Sequence, residues 1–209
     1  MISVKRRAIT ATDVLVAVTV AVLYIACAKL GLALAVRAAQ VSAVWPPTGF
    51  ALAAIVILGR RAIPGIFLGA LAANASASEP LWVAAGIAAG NTLEAMAGAA
   101  LLSRFRFDAA LTRVRDVMAL LAAVALSPLV SATIGVAFLI AGGVHALSDA
   151  PGLWPVWWLG DALGGLIIAP LLLVWSTRDR FWNARSGEPA LMIGGILIAS
   201  GIVFTLPPN

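Results

Sequence analysis

Residues 86–98 read GIAAGNTLEAMAG and place a glutamate, Glu94, inside an apolar run that is long enough to cross a lipid bilayer. Spacings of four put three glycines on the same helix face as this residue: Gly86, Gly90 and Gly98. Because small residues let a second backbone approach closely, we predict that Glu94 faces a packed helix interface and not lipid. Asn91, three residues earlier, is placed to help satisfy the carboxylate.

A second carboxylate has a similar setting. Residues 157–165 read WWLGDALGG, in which Trp157 and Asp161 share one helix face and the glycines permit close helix contact. Ionisable groups inside a bilayer are costly and usually functional. Lys29, in the first apolar run, adds an intramembrane charge of opposite sign. We therefore predict a buried cluster in which Lys29 or hydrogen bonds hold Glu94 or Asp161.

A helix start supplies a third element. Trp45, Pro46, Pro47 and Thr48 open the second apolar run, and Pro47 can occupy the first helical position and leave the following backbone donors unpaired. Such donors can receive an anionic group. Together with the helices of both carboxylates, this start is expected to line a polar, ligand-binding pocket in the outer half of the membrane. The alternative is a buried polar network that fixes helix packing and binds nothing.

The composition is typical of an integral membrane protein. With 62% hydrophobic and 11% charged residues, a water-soluble domain would have too little polar surface. We predict an all-α fold: residues 1–209 form a single polytopic transmembrane helical bundle of about seven membrane segments, one short of an eight-helix domain. The segments are expected at about residues 13–36, 47–58, 62–77, 81–102, 117–141, 153–175 and 190–206, with a hinge at residues 59–61.

Basic residues predict the orientation. Lysine and arginine concentrate at residues 5–7, 60–61, 104–115 and 178–185, and the positive-inside rule puts these connections and the N terminus in the cytoplasm. Membrane orientation explains the net charge of +5 better than nucleic-acid binding does, so we expect no nucleic-acid partner. The apolar run that reaches Cys27 also fits a cleaved signal peptide, but it continues to Val36, which favours a retained first helix.

The sequence gives little support to catalysis. It contains no glycine-rich phosphate loop, no cysteine and histidine set that could bind a metal, and no nucleophilic serine motif. Cys27 is the single cysteine, and His145 lacks a neighbouring ligand or base. We therefore expect no enzyme activity, no metal and no cofactor in this chain. His145 is either an incidental loop residue or a pH sensor.

Five motifs in a fixed order connect the chain to a known family. They are WPPTGFALA at 45–53, GRR at 59–61, PGIFLG at 64–69, GNTLEA at 90–95 and WLGDALG at 158–164. Their combination resembles the first-described MASE family, which comprises bacterial membrane-associated sensor domains. The resemblance extends from the first to the sixth predicted segment.

The resemblance implies a role in signalling. It implies a multi-pass input module in the bacterial inner membrane, with eight helices, placed before a histidine kinase, diguanylate cyclase, phosphodiesterase or related output. We expect no output domain in this chain, so its partners would be the lipid bilayer, an unknown small ligand or membrane protein, and a cytoplasmic output domain in cis or trans. A homodimer would suit such outputs. The alternatives are a small-molecule transporter or its substrate-binding membrane subunit, and a structural anchor.

Overall fold

The structure, a computed structural model, describes residues 10–33, 44–76 and 80–177, and every regular element in these ranges is a helix. Its helices are α1 (Ala11–Ala33), α2 (Pro46–Leu58), α3 (Ile63–Ala75), α4 (Leu81–Arg104), α5 (Val114–Leu126), α6 (Pro128–Ala141) and α7 (Ala150–Ser176). Short 3-10 turns cover Gly59–Ala62 and Leu147–Asp149. All of these helices belong to one compact unit, which ends at Ser176.

The predicted number of about seven membrane segments is not supported. In the described residues, four helical stretches are long and apolar enough to cross a membrane: Ala11–Ala33, Pro46–Ala75, Val114–Ala141 and Leu147–Ser176. The second and third predicted segments both fall within Pro46–Ala75, and the segment predicted at 190–206 lies outside the described residues. The helix α4 is also long, but Asn91, Thr92 and Glu94 make it more polar than these four.

The glycine faces predicted from sequence are packing faces. In α4, a Cβ added at Gly86 would meet the ring of Phe138, and one at Gly90 would meet Ile134, so this face of α4 lies against α6. The main contacts of α2 are with α7, and those of α3 are with α1 and α4. The residues on α2, α4, α6 and α7 that form the candidate site are therefore held by close helix packing.

The predicted hinge coincides with a break between α2 and α3. Gly59 ends α2 with φ 66° and ψ −152°, a combination that is nearly exclusive to glycine. The following residues, Arg60 and Arg61, form the 3-10 turn that leads into α3. Glycine at this position therefore lets the chain leave α2 without backbone strain.

Gly59→Ala is expected to lower the free energy of unfolding by about 1–3 kcal/mol, since alanine is strained in this backbone region. A Cβ at Gly59 meets nothing within 4 Å, so the loss would come from the backbone conformation alone. Gly152→Ala is the matched control, because its Cβ also meets nothing and its φ is not positive. Thermal unfolding of both variants in detergent measures the difference, and equal midpoints would contradict the account.

Candidate functional site

Asp161 lies at the centre of a buried polar cluster. Its side chain is on α7 and only 1% of the residue is exposed. The hydroxyl of Thr48 on α2 donates to Oδ1 at 2.8 Å, and the hydroxyl of Ser131 on α6 donates to Oδ2 at 2.8 Å. The side chain of Trp157, one turn earlier on α7, also interacts with the carboxylate. Hydrogen bonds from two other helices thus hold Asp161.

Glu94 belongs to the same cluster. It is 2% exposed on α4, and it interacts electrostatically with Asp161 and with the side chain of Ser131. Its Oε1 atom is buried without a hydrogen-bond partner among the described residues. We call Thr48, Glu94, Ser131 and Asp161 the carboxylate site. The two carboxylates singled out in the sequence are therefore neighbours, as predicted, and one of them has unused hydrogen-bonding capacity.

The start of α2 meets the carboxylate site, but with different chemistry from that predicted. The first helical residue is Pro46 and not Pro47, and both prolines are buried. The N–H of Trp45 donates to the Gly160 carbonyl at 2.9 Å, and the N–H of Thr48 donates to the Trp45 carbonyl at 3.2 Å. Because the prolines have no N–H and the flanking donors are used, these positions offer an anion no free backbone donor. The start of α2 instead contributes the side-chain hydroxyl of Thr48, which donates to Asp161.

Asn91 forms its hydrogen bond with a residue other than Glu94, the partner predicted from sequence. Its Nδ2 atom donates to the hydroxyl of Tyr24 on α1 at 3.2 Å. Tyr24 is fully buried and also interacts with the Trp45 side chain. Asn91 and Tyr24 thus form a second polar contact, which ties α4 to α1 beside the carboxylate site.

Pairing with Lys29, one of the two ways in which the sequence expects a carboxylate to be held, is not found among the described residues. Within residues 10–33, 44–76 and 80–177, no ion pair joins Lys29 to Glu94 or to Asp161, and Lys29 is exposed on α1. The buried face of this helix contains Val20, Tyr24, Ala28 and Gly31. Since successive helical residues are about 100° apart, Lys29 is turned away from the face that contains Ala28. Hydrogen bonds, and not an ion pair with Lys29, therefore hold Asp161.

Ser131 is the site residue that sequence reasoning missed. It is completely buried on α6, and its hydroxyl lies 3.2 Å from the Pro128 carbonyl as well as 2.8 Å from Asp161. Helical serines commonly bond to a carbonyl of the preceding turn, so a lone serine in an apolar run carries little information. The sequence signal that could have identified Ser131 is its position four residues before Gly135, on the same helix face. In the structure, Gly135 lies against Trp157.

Comparison with known proteins gives the family. The family model MASE1 matches residues 16–207. This chain belongs to the MASE1 family. No match was found among curated proteins or among solved structures. The resemblance carried by the five sequence motifs is thereby confirmed, and the MASE1 assignment makes the chain a membrane-associated sensor domain of signalling proteins. The domain is sensory and is not itself catalytic.

The described side chains of this MASE1 domain give the carboxylate site a limited set of chemical groups. In the described residues no three histidine, cysteine, aspartate or glutamate side chains are grouped so that they could hold a metal ion. The carboxylate site offers only oxygen atoms and the edge of an indole ring. Outside the carboxylate site, the sequence-based expectation that His145 has no neighbouring base is wrong, because its Nδ1 lies 3.7 Å from Asp149 Oδ2. Carboxyl and hydroxyl oxygens take part in hydrogen bonds, and they are also the ligand type that hard cations prefer.

Thr48→Val is expected to destabilise the MASE1 domain by about 1–3 kcal/mol, because Asp161 loses one of its hydrogen-bond donors in a buried setting. The control is Thr92→Val, since Thr92 is buried to the same degree but donates to the Ala88 carbonyl of its own helix. Unfolding of the two variants in the same detergent gives the comparison. Equal loss of stability in both would show that the Thr48 hydroxyl contributes nothing particular to the site.

Proposed function

We propose that this MASE1 domain is the sensory input part of a bacterial signalling protein in the inner membrane, with its N terminus in the cytoplasm. A ligand or protein partner acts at the carboxylate site, and the signal is relayed to a cytoplasmic output such as a histidine kinase or a diguanylate cyclase. The observation that supports this most is the unpartnered, buried Oε1 of Glu94. Buried polar atoms without a partner are rare in proteins and call for an explanation.

The site is well placed to couple binding to helix packing. Thr48, Ser131 and Asp161 join α2, α6 and α7 through two hydrogen bonds, and Glu94 brings α4 to the same point. A ligand that bonds to Glu94 or replaces one of these hydroxyls would favour one arrangement of the four helices over another. Such a shift requires different affinities for the two arrangements, and typical coupling free energies are about 1–3 kcal/mol.

A transporter remains the second candidate. Pro155 and Pro170 lie inside α7, the helix that carries Asp161, and Gly59 interrupts the stretch that contains α2 and α3. Transporters build substrate sites in this way. Flux of a labelled solute into proteoliposomes that is abolished by Asp161→Asn would favour transport over sensing.

The signalling proposal is tested first in the native membrane. The intact mass of the product that contains this sequence is compared with 21.4 kDa, the mass of the 209 residues. A much larger product would show an output domain in cis, whereas an equal mass would require an output partner in trans. In either case, deletion of the gene is expected to change kinase phosphotransfer or cellular cyclic di-GMP. No change in any such output would contradict the proposal.

A further inference from the structure

The carboxylate site has an imbalance between hydrogen-bond donors and acceptors. An ionised carboxylate only accepts hydrogen bonds, and a serine hydroxyl has one proton to donate. Ser131 is within 2.8 Å of Asp161 Oδ2 and also interacts with Glu94. If Ser131 donates to Asp161, it has no proton left for an ionised Glu94. A protonated Glu94 resolves this, because its own O–H can donate to a lone pair of Ser131.

No cation among the described residues is paired with either carboxylate. In the described residues, α2, α3 and α6 carry no charged side chain, and Asp161 is the single charged residue of α7. The basic residues of α1 and α4 are Lys29 and Arg104, both exposed, and Arg104 lies ten residues from Glu94, about 15 Å along the helix. The helix α5, which also packs against α4, α6 and α7, carries Arg115 and Asp116 in its first turn, and these two side chains pair with each other. Tyr24, which interacts electrostatically with both carboxylates, accepts a hydrogen bond from Asn91. A second buried negative charge would therefore be uncompensated.

We propose that Glu94, Ser131 and Asp161 form a proton-binding site in which Glu94 holds one proton and donates to Ser131, while Ser131 donates to Asp161. The free Oε1 of Glu94 is then the carbonyl oxygen of a neutral acid, for which a missing partner costs less than for a carboxylate. Loss of the proton leaves two buried negative charges and breaks the chain of hydrogen bonds between α4, α6 and α7. The inference rests on the proposed function in one respect: the proton would be the ligand that the sensor detects.

Infrared spectroscopy of the full chain in lipid nanodiscs tests the site directly. At neutral pH in a choline buffer without sodium, the spectrum of the wild type minus that of Glu94→Gln is expected to contain a carboxylic-acid C=O band that shifts in deuterated water. Ser131→Ala is expected to shift the frequency of this band, because the acid loses its acceptor. Thr92→Ala, which removes a buried hydroxyl on α4 that is bonded within its own helix, is expected to leave it unchanged.

Two results would overturn the proposal. One is the absence of an acid band at neutral pH, with carboxylate bands in its place. The other is loss of the band when sodium replaces choline at constant pH, which would make the occupant a sodium ion. If Glu94→Gln does not fold, labelling of the wild type with dicyclohexylcarbodiimide, which attacks protonated carboxyl groups in apolar surroundings, replaces the difference spectrum. Modification at Glu94 supports the proposal, and its absence overturns it.

Failure of this inference can be distinguished from failure of the proposed function. If Glu94 is ionised but its substitution still changes the signalling output, the proton site is contradicted and the sensory role is supported. If Glu94 is protonated but its substitution leaves every output unchanged, the proton site is supported and the sensory role is contradicted.

Discussion

Gly164→Ala is expected to destabilise the protein by about 3 kcal/mol, the upper end of the usual cost of overpacking. A Cβ at this position would collide with the Trp45 carbonyl, which is backbone and cannot turn aside as a side chain could. The start of α2 would have to move away from α7. Because Thr48 follows Trp45 by three residues, the same movement would separate its hydroxyl from Asp161.

The control for this prediction lies on the same helix. Gly152→Ala adds the same methyl group to α7 where nothing lies within 4 Å, so it should leave stability unchanged or slightly improve it. Thermal unfolding of both variants, followed by circular dichroism in one detergent, provides the measurement. If the two midpoints agree, α2 and α7 do not pack closely at Gly164.

The second large effect is expected from Gly65→Val combined with Gly69→Val. Side chains at these positions would collide with the Ala17 carbonyl and with Val20 at the first, and with the Cβ of Tyr24, 2.7 Å away, at the second. Each overpacked position is expected to cost about 1–3 kcal/mol, so the pair should release α1 from α3. Separation of α1 would also break the bond between Tyr24 and Asn91.

Leu68→Val is the matched control for this pair. Leu68 stands between the two glycines on α3, but its side chain is mostly exposed and its replacement changes no helix contact face. Limited proteolysis and thermal unfolding should distinguish the glycine variant from both the control and the wild type. A glycine variant as stable as the control would mean that α1 does not lie against α3.

Much of the helix pattern could be predicted because long apolar runs and small-residue spacing are local properties. The bounds expected for segments four and six, 81–102 and 153–175, lie within α4 and α7, and the glycine faces of both helices are contact faces. The same faces brought Glu94 and Asp161 together. The number of membrane segments was not predicted correctly, since α2 and α3 are each 13 residues long and belong to one broken helical stretch.

The details of the site could not be predicted, because they depend on which face of each helix is buried. In α1 nearly every residue is apolar, so hydrophobicity does not reveal the buried face, and the sequence leaves open whether Lys29 faces the carboxylates. The partner of Asn91 is on α1, 67 residues away, and the partners of Asp161 are 113 and 30 residues away. Spacing along the chain carries no information about contacts at such distances.

Control of a signalling output by the carboxylate site can be measured in the cell that makes the protein. Glu94→Gln, Asp161→Asn and the control Thr92→Val are introduced at the native gene, and equal amounts in the membrane are verified. Both carboxylate variants are expected to change kinase phosphotransfer or cyclic di-GMP by about fivefold or more, the lower limit of typical allosteric coupling. The control should match the wild type. Wild-type output from both carboxylate variants, at equal protein levels, would contradict the account.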